Sequence, residues 1–66
     1  MKILLNGEDT EQSDGITIAG LLTHLGIGLD RVAVEVNQAI VPKTKHETHL
    51  LSDGDRIEIV HFVGGG

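Results

Sequence analysis

The chain has 66 residues and no cysteine, which makes it one small domain and excludes disulfides and cysteine-based zinc or redox chemistry. Ten Asp/Glu oppose five Lys/Arg, a formal charge of −5; that balance argues against binding a nucleic-acid backbone or an anionic membrane, which both select basic surfaces. Hydrophobic residues make up 39%, enough for a packed core, and the apolar run at residues 1–5 is too short for a signal peptide or a membrane span, so a cytoplasmic location is expected.

The first predicted element is a strand at residues 2–6, with Met1, Ile3 and Leu5 on one face at period two. Asn6-Gly7 is a hairpin-turn dipeptide. The return strand, 8–13, is polar and weakly patterned, which suits a sheet edge. Asp14-Gly15 marks the next turn. Thr17 then reads as a helix N-cap, its hydroxyl accepting from a backbone N–H of the first turn. Ile18, Leu21, Leu22 and Leu25 follow at helical spacing and form one apolar face. Gly20 sits inside this helix at a cost of about 1 kcal/mol relative to alanine, for no reason visible in the sequence. Gly26 fits a left-handed C-cap.

Residues 32–36 form the clearest strand. Val32, Val34 and Val36 point one way, Ala33 and Glu35 the other. Asn37-Gln38 makes a turn, and Ile40-Val41 a short strand stopped by Pro42. Residues 43–49 are a polar crossing segment with one helical turn. Leu50-Leu51 returns to the core, Ser52-Asp53-Gly54-Asp55 turns tightly, and 56–62 is the last strand, running into Gly64-Gly65-Gly66. Several strands and one helix specify an α+β, two-layer domain: a mixed sheet covered on one face. The folded body is expected to span 1–63 and a flexible tail 64–66.

Alternation in the last strand puts Ile57 and Ile59 inward. Val60 and Phe62 then face outward, apolar where solvent would favour polar groups, and with Val63 they form the expected partner-docking patch. Phe62 is the one aromatic residue, so there is no base-stacking platform. His46-x-x-His49 has the spacing of two metal ligands on a helical turn, but no further donors beyond Glu47 accompany it, and both histidines read as exposed polar residues. No metal is expected. His24 and His61 read as ordinary half-exposed or strand positions. The serines and histidines form no triad pattern. Gly26-x-Gly28 lacks the following helix signature of a nucleotide-binding loop, and no P-loop is present. The chain itself therefore has no means of activating a substrate.

Four stretches together resemble the ubiquitin-like β-grasp sulfur carriers, and within them the ThiS branch of thiamine biosynthesis. They are Lys2-Ile3-Leu4-Leu5-Asn6-Gly7-Glu8, Gly15-Ile16-Thr17-Ile18-Ala19-Gly20-Leu21-Leu22, Val32-Ala33-Val34-Glu35-Val36-Asn37 with Ile40-Val41-Pro42, and Asp53-Gly54-Asp55-Arg56-Ile57-Glu58-Ile59-Val60 ending in Gly65-Gly66. The resemblance covers essentially the whole chain. It implies a mixed four- to five-stranded sheet on one main helix. Two positions depart from it: many relatives carry glycine where this chain has Gln38, and a helix former where it has Gly20. Neither position carries chemistry.

The resemblance also implies a role for the tail. A carboxylate is a poor electrophile until it is converted to a mixed anhydride. A ThiF-type adenylating enzyme would spend ATP to join AMP to the Gly66 carboxylate. Sulfide from sulfur-donating proteins would displace AMP to leave a thiocarboxylate, and the sulfur would pass to thiazole synthase of the ThiG type. Gly64 and Gly65 would let the tail thread a narrow channel, and 63–66, if extended, would reach about 13 Å at about 3.3 Å per residue. The chain would be a monomeric carrier and co-substrate, binding no cofactor of its own. Sibling roles stay open: a carrier for molybdopterin or tRNA thiolation, or a ubiquitin-like protein modifier. The molybdopterin subunit usually has a proline pair before its terminal glycines. Here the approach is His61-Phe62-Val63 and the one proline is Pro42, which favours the thiamine branch.

Overall fold

The computed structural model describes residues 1–28 and 30–61. Five strands, β1 (Lys2–Leu5), β2 (Glu8–Glu11), β3 (Val32–Val36), β4 (Ala39–Val41) and β5 (Arg56–His61), and one helix, α1 (Ile18–His24), follow in the order β1-β2-α1-β3-β4-β5, with a 3-10 turn at Lys43–Lys45 before β5. The sheet order is β2-β1-β5-β3-β4. β1 and β5 run parallel; every other neighbouring pair is antiparallel. The last strand is thus at the centre of the sheet and the polar return strand β2 is at one edge, as its composition requires.

Two hairpins have two-residue loops. Leu5 pairs with Glu8 around Asn6-Gly7, and Val36 pairs with Ala39 around Asn37-Gln38. All four loop residues have positive φ: 47° and 88° in the first, 52° and 73° in the second. These are type I′ loops, whose twist matches that of the flanking strands. Gln38 occupies the left-handed position that suits glycine.

The helix begins as its sequence predicts. Thr17 Oγ1 accepts from Gly20 N–H at 3.0 Å. The crossing segment supplies two further acceptors: Ile18 N–H donates to His49 C=O and Ala19 N–H to His46 C=O, at 3.1 and 2.8 Å. The helix ends on Gly26 at φ +72°, with Gly26 N–H donating to Thr23 C=O and Ile27 N–H to Leu22 C=O, the paired bonds of a Schellman motif. Gly20 now has a structural reason. A Cβ there would lie 3.1 Å from Ile16 Cγ1 and 3.3 Å from the capping Thr17 Oγ1, so glycine leaves room for the residues that start the helix.

Ile3, Ile18, Leu21, Leu22, Val34 and Ile57 are the fully buried side chains, with Val32, Val36, Val41 and Leu51 around them. At about 25 cal/mol per Å² of apolar surface, this seam between α1 and one sheet face dominates folding. Three expectations are corrected. Leu25 is 38% exposed; it is the C-cap, still αR with its N–H donating to Leu21 C=O, at the very end of the apolar stripe. Of Leu50-Leu51 only Leu51 enters the core; Leu50 is 60% exposed. Leu50 bridges to Thr17 in extended conformation, and neighbours in extended chain point opposite ways. His46 is buried at 4% exposure rather than solvated.

Candidate functional site

β5 carries the chain toward its C-terminus, and the sheet holds it on both sides. Leu4 N–H and Asn6 N–H donate to the carbonyls of Asp55 and Ile57, both at 2.9 Å. Where β1 ends, the Asn6 side chain takes over: its Oδ1 accepts from Ile59 N–H at 2.8 Å. On the other side Asn37 Oδ1 accepts from Arg56 N–H at 2.9 Å, and its Nδ2 donates to Asp55 Oδ1 at 3.0 Å. Asp55 Oδ2 in turn accepts from Ser52 N–H. Each type I′ asparagine therefore satisfies a backbone donor of β5. Below these contacts Ile57 is fully buried and Ile59 packs against the core, as alternation predicts.

Among the described residues, no element covers the sheet face turned away from α1. Its register sets Val60 beside Ala33, and Glu58 beside Glu35, which is itself beside Ile40. Val60 is 52% exposed and Ile40 72%. The outward position of Val60 is as expected. Ile40 was not identified as a surface position from the sequence, although alternation from buried Val41 was the available signal. The roles of Asn6 and Asn37 had no signal beyond their turn positions, since both reach a strand distant in sequence.

Phe62 and Val63 of the expected docking patch, and Gly64, Gly65 and Gly66 of the tail, lie outside the described residues. The other singled-out residues do not converge. His24 and His61 are exposed, on α1 and β5. His49 is half-buried. The His46 ring Nε2 is 3.0 Å from Val41 C=O; a carbonyl only accepts, so Nε2 carries the proton and donates. That role ties the crossing segment to β4. Among the described residues no group of three or more His, Asp or Glu is placed to hold a metal, and no helix is long and apolar enough to cross a membrane.

A five-stranded mixed sheet covered by one helix, with parallel first and last strands at its middle, defines a ubiquitin-like β-grasp domain. A family model described as "ThiS family" matches residues 3–66, and the chain belongs to that family. The sulfur carrier protein ThiS of Bacillus subtilis is 44% identical over 63 residues, covering 94% of this chain and 96% of that protein. A crystal structure of thiamine biosynthesis protein ThiS from Geobacter metallireducens superposes with a TM-score of 0.85 at 26% identity, covering 100% of both chains. A thiazole synthase of Paramagnetospirillum magneticum is 46% identical over 66 residues, covering 100% of this chain but 20% of that protein. The chain thus spans about a fifth of the length of that synthase.

Proposed function

We propose that this chain is the sulfur carrier of thiamine (thiazole) biosynthesis, a cytoplasmic co-substrate rather than an enzyme. The observation that carries the reading is full-length similarity to curated sulfur carriers in a chain whose last three residues are glycines. The Gly66 carboxylate attacks the α-phosphorus of ATP on a ThiF-type enzyme and releases pyrophosphate. Sulfide then adds to the acyl carbon, AMP leaves, and a thiocarboxylate remains. Thiazole synthase is the acceptor. Support for that step comes from thiazole synthases that contain a segment similar to this whole chain.

Gly64 and Gly65 serve access, because residues without side chains pass a narrow channel and take up dihedrals closed to others. A glycine run looks alike to every enzyme, so discrimination falls to the body. Val60 on the open face, with Phe62 and Val63 following it, forms the docking patch. Binding energy from this surface offsets the entropy lost when the tail is ordered in the active site.

The test is intact-mass spectrometry after incubation with the cognate ThiF-type enzyme, ATP and a sulfide source. Replacement of one oxygen by sulfur, abolished when Gly66 is deleted, is the expected result. An unchanged mass with a demonstrably active enzyme rules the reading out. Transfer of the sulfur to thiazole synthase then separates this role from molybdopterin or tRNA thiolation, and isopeptide conjugates on a denaturing gel would point to a protein modifier instead.

A further inference from the structure

The two type I′ loops hold their asparagines differently. Asn37 is engaged at both ends of its side-chain amide: Oδ1 accepts from Arg56 N–H and Nδ2 donates to Asp55 Oδ1. Asn6 is engaged at one end. Its Oδ1 accepts from Ile59 N–H, and among the described residues its Nδ2 has no hydrogen-bond partner. The following residues differ as well. Gln38 carries a side chain after Asn37. Gly7, after Asn6, is exposed, and no heavy atom beyond its chain neighbours lies within 4 Å of where a Cβ would stand. Among the described residues the Gly7 N–H donates to no acceptor. An uncrowded backbone nitrogen thus stands next to an exposed asparagine amide whose NH2 group nothing holds.

We propose that Asn6-Gly7 is a site of spontaneous deamidation, and that its isoaspartate product releases β5 from the end of β1. Asparagine is among the thermally labile residues, and the route here is intramolecular. The Asn6 side chain swings off Ile59 N–H, and the Gly7 nitrogen attacks Asn6 Cγ. The new N–Cγ bond closes a five-membered succinimide. The Gly7 nitrogen gives up its proton and Nδ2 leaves as ammonia, so no oxidant or cofactor takes part. Glycine favours the attack, because no Cβ crowds its nitrogen and its dihedrals are the freest. Water then opens the ring at one of two carbonyls. Attack at Cγ gives aspartate, which keeps an oxygen able to accept from Ile59 N–H. Attack at the main-chain carbonyl gives isoaspartate, whose backbone runs through Cγ. That adds one atom to a two-residue loop whose twist matches its strands, and Ile59 N–H loses its acceptor. Either product adds a negative charge beside Glu8 and Asp9 in a chain already at −5. β5 is the strand that leads to the tail, but the inference does not depend on the carrier reading.

The experiment ages the full chain, folded, at mildly alkaline pH below its melting temperature. Ammonia release gives the rate, peptide mapping by mass spectrometry locates the converted residue, and an isoaspartyl methyltransferase assay measures isoaspartate. Conversion should occur at Asn6 and yield both products, and Asn6→Asp should abolish ammonia release from this loop. In the Gln38→Gly variant Asn37 gains a following glycine too. It should still convert about fivefold or more slowly than Asn6, since an additional hydrogen bond must break to free its amide. The purified isoaspartate form should melt about 4 °C or more below Asn6→Asp, which carries the same charge and keeps the acceptor. An Asn6 that stays intact in the folded chain over the time in which urea-unfolded chain converts overturns the proposal. Equal rates at Asn6 and Asn37 in Gln38→Gly overturn the structural assignment, because the following glycine alone would then select the site. An isoaspartate form that melts with Asn6→Asp overturns the release of β5.

Discussion

Asn6 and Asn37 hold the same strand from opposite sides. Each occupies the first position of a type I′ loop, and each accepts a β5 backbone N–H through its side chain, from Ile59 at 2.8 Å and from Arg56 at 2.9 Å. Residues chosen by local turn geometry thereby fix the central strand that leads to the tail. The two loops also differ in one respect: Gly7 completes the first and Gln38 the second.

That difference predicts a stabilising substitution. Gln38 at φ +73° bears the left-handed penalty of about 1–2 kcal/mol for a residue with a Cβ. Glycine removes it but gains entropy in the unfolded chain. Gln38→Gly should stabilise by a net of about 0.5–1 kcal/mol, raising Tm by about 2–8 °C for a domain this small. A lower melting temperature would mean that the Gln38 side chain makes a contact worth more than the strain.

Asn6 can be dissected in the same way. Asn6→Gly keeps the positive φ without strain and removes the bond to Ile59, a loss of about 1 kcal/mol. Asn6→Ala loses the bond and adds left-handed strain, for about 2–3 kcal/mol in total. Denaturant titration of both variants separates the terms. Equal stabilities would show that backbone strain at this position is negligible.

Helix propensity alone predicts a gain of about 1 kcal/mol for Gly20→Ala. The contacts at 3.1 Å to Ile16 and 3.3 Å to Thr17 oppose it, because the N-cap would have to shift. The expected outcome is no gain. A full 1 kcal/mol increase on thermal melting would show that Ile16 yields without cost.

His46 and His49 should separate sharply. His46→Ala empties a buried position and leaves Val41 C=O without its donor, a cost of about 2–3 kcal/mol. His49→Ala keeps the backbone carbonyl that caps Ile18 and should cost less than about 1 kcal/mol. Urea melts of the two variants make the comparison; a zinc-dependent rise in Tm of the wild type that either variant abolishes would instead revive the metal reading.

Docking through the open face predicts that Val60→Asp preserves the fold, because the residue is 52% exposed, while raising KM for adenylation about tenfold or more through a buried, unpaired charge. Phe62→Asp tests the same patch. Unaltered adenylation kinetics in both, with native circular dichroism, would remove the apolar patch from the interface.

Much of this protein was legible residue by residue. The Asn6-Gly7 loop, the Thr17 cap, the Ile18-Leu21-Leu22 stripe, the Gly26 terminator and the Val32-Val34-Val36 face each depend on dihedral preferences and hydrogen bonds spanning a few neighbours, so the sequence by itself determined them. The glycine tail and its resemblance to the sulfur carriers belong to the same class of information. Tertiary structure decided what depends on distant partners. It put β5 between β1 and β3, set Glu35 against Glu58, buried His46 under β4, separated Leu50 from Leu51 and explained Gly20 through Ile16. The physical reason is that pairing register and burial follow from which remote segments share a core, and no window of sequence contains both halves of such a contact.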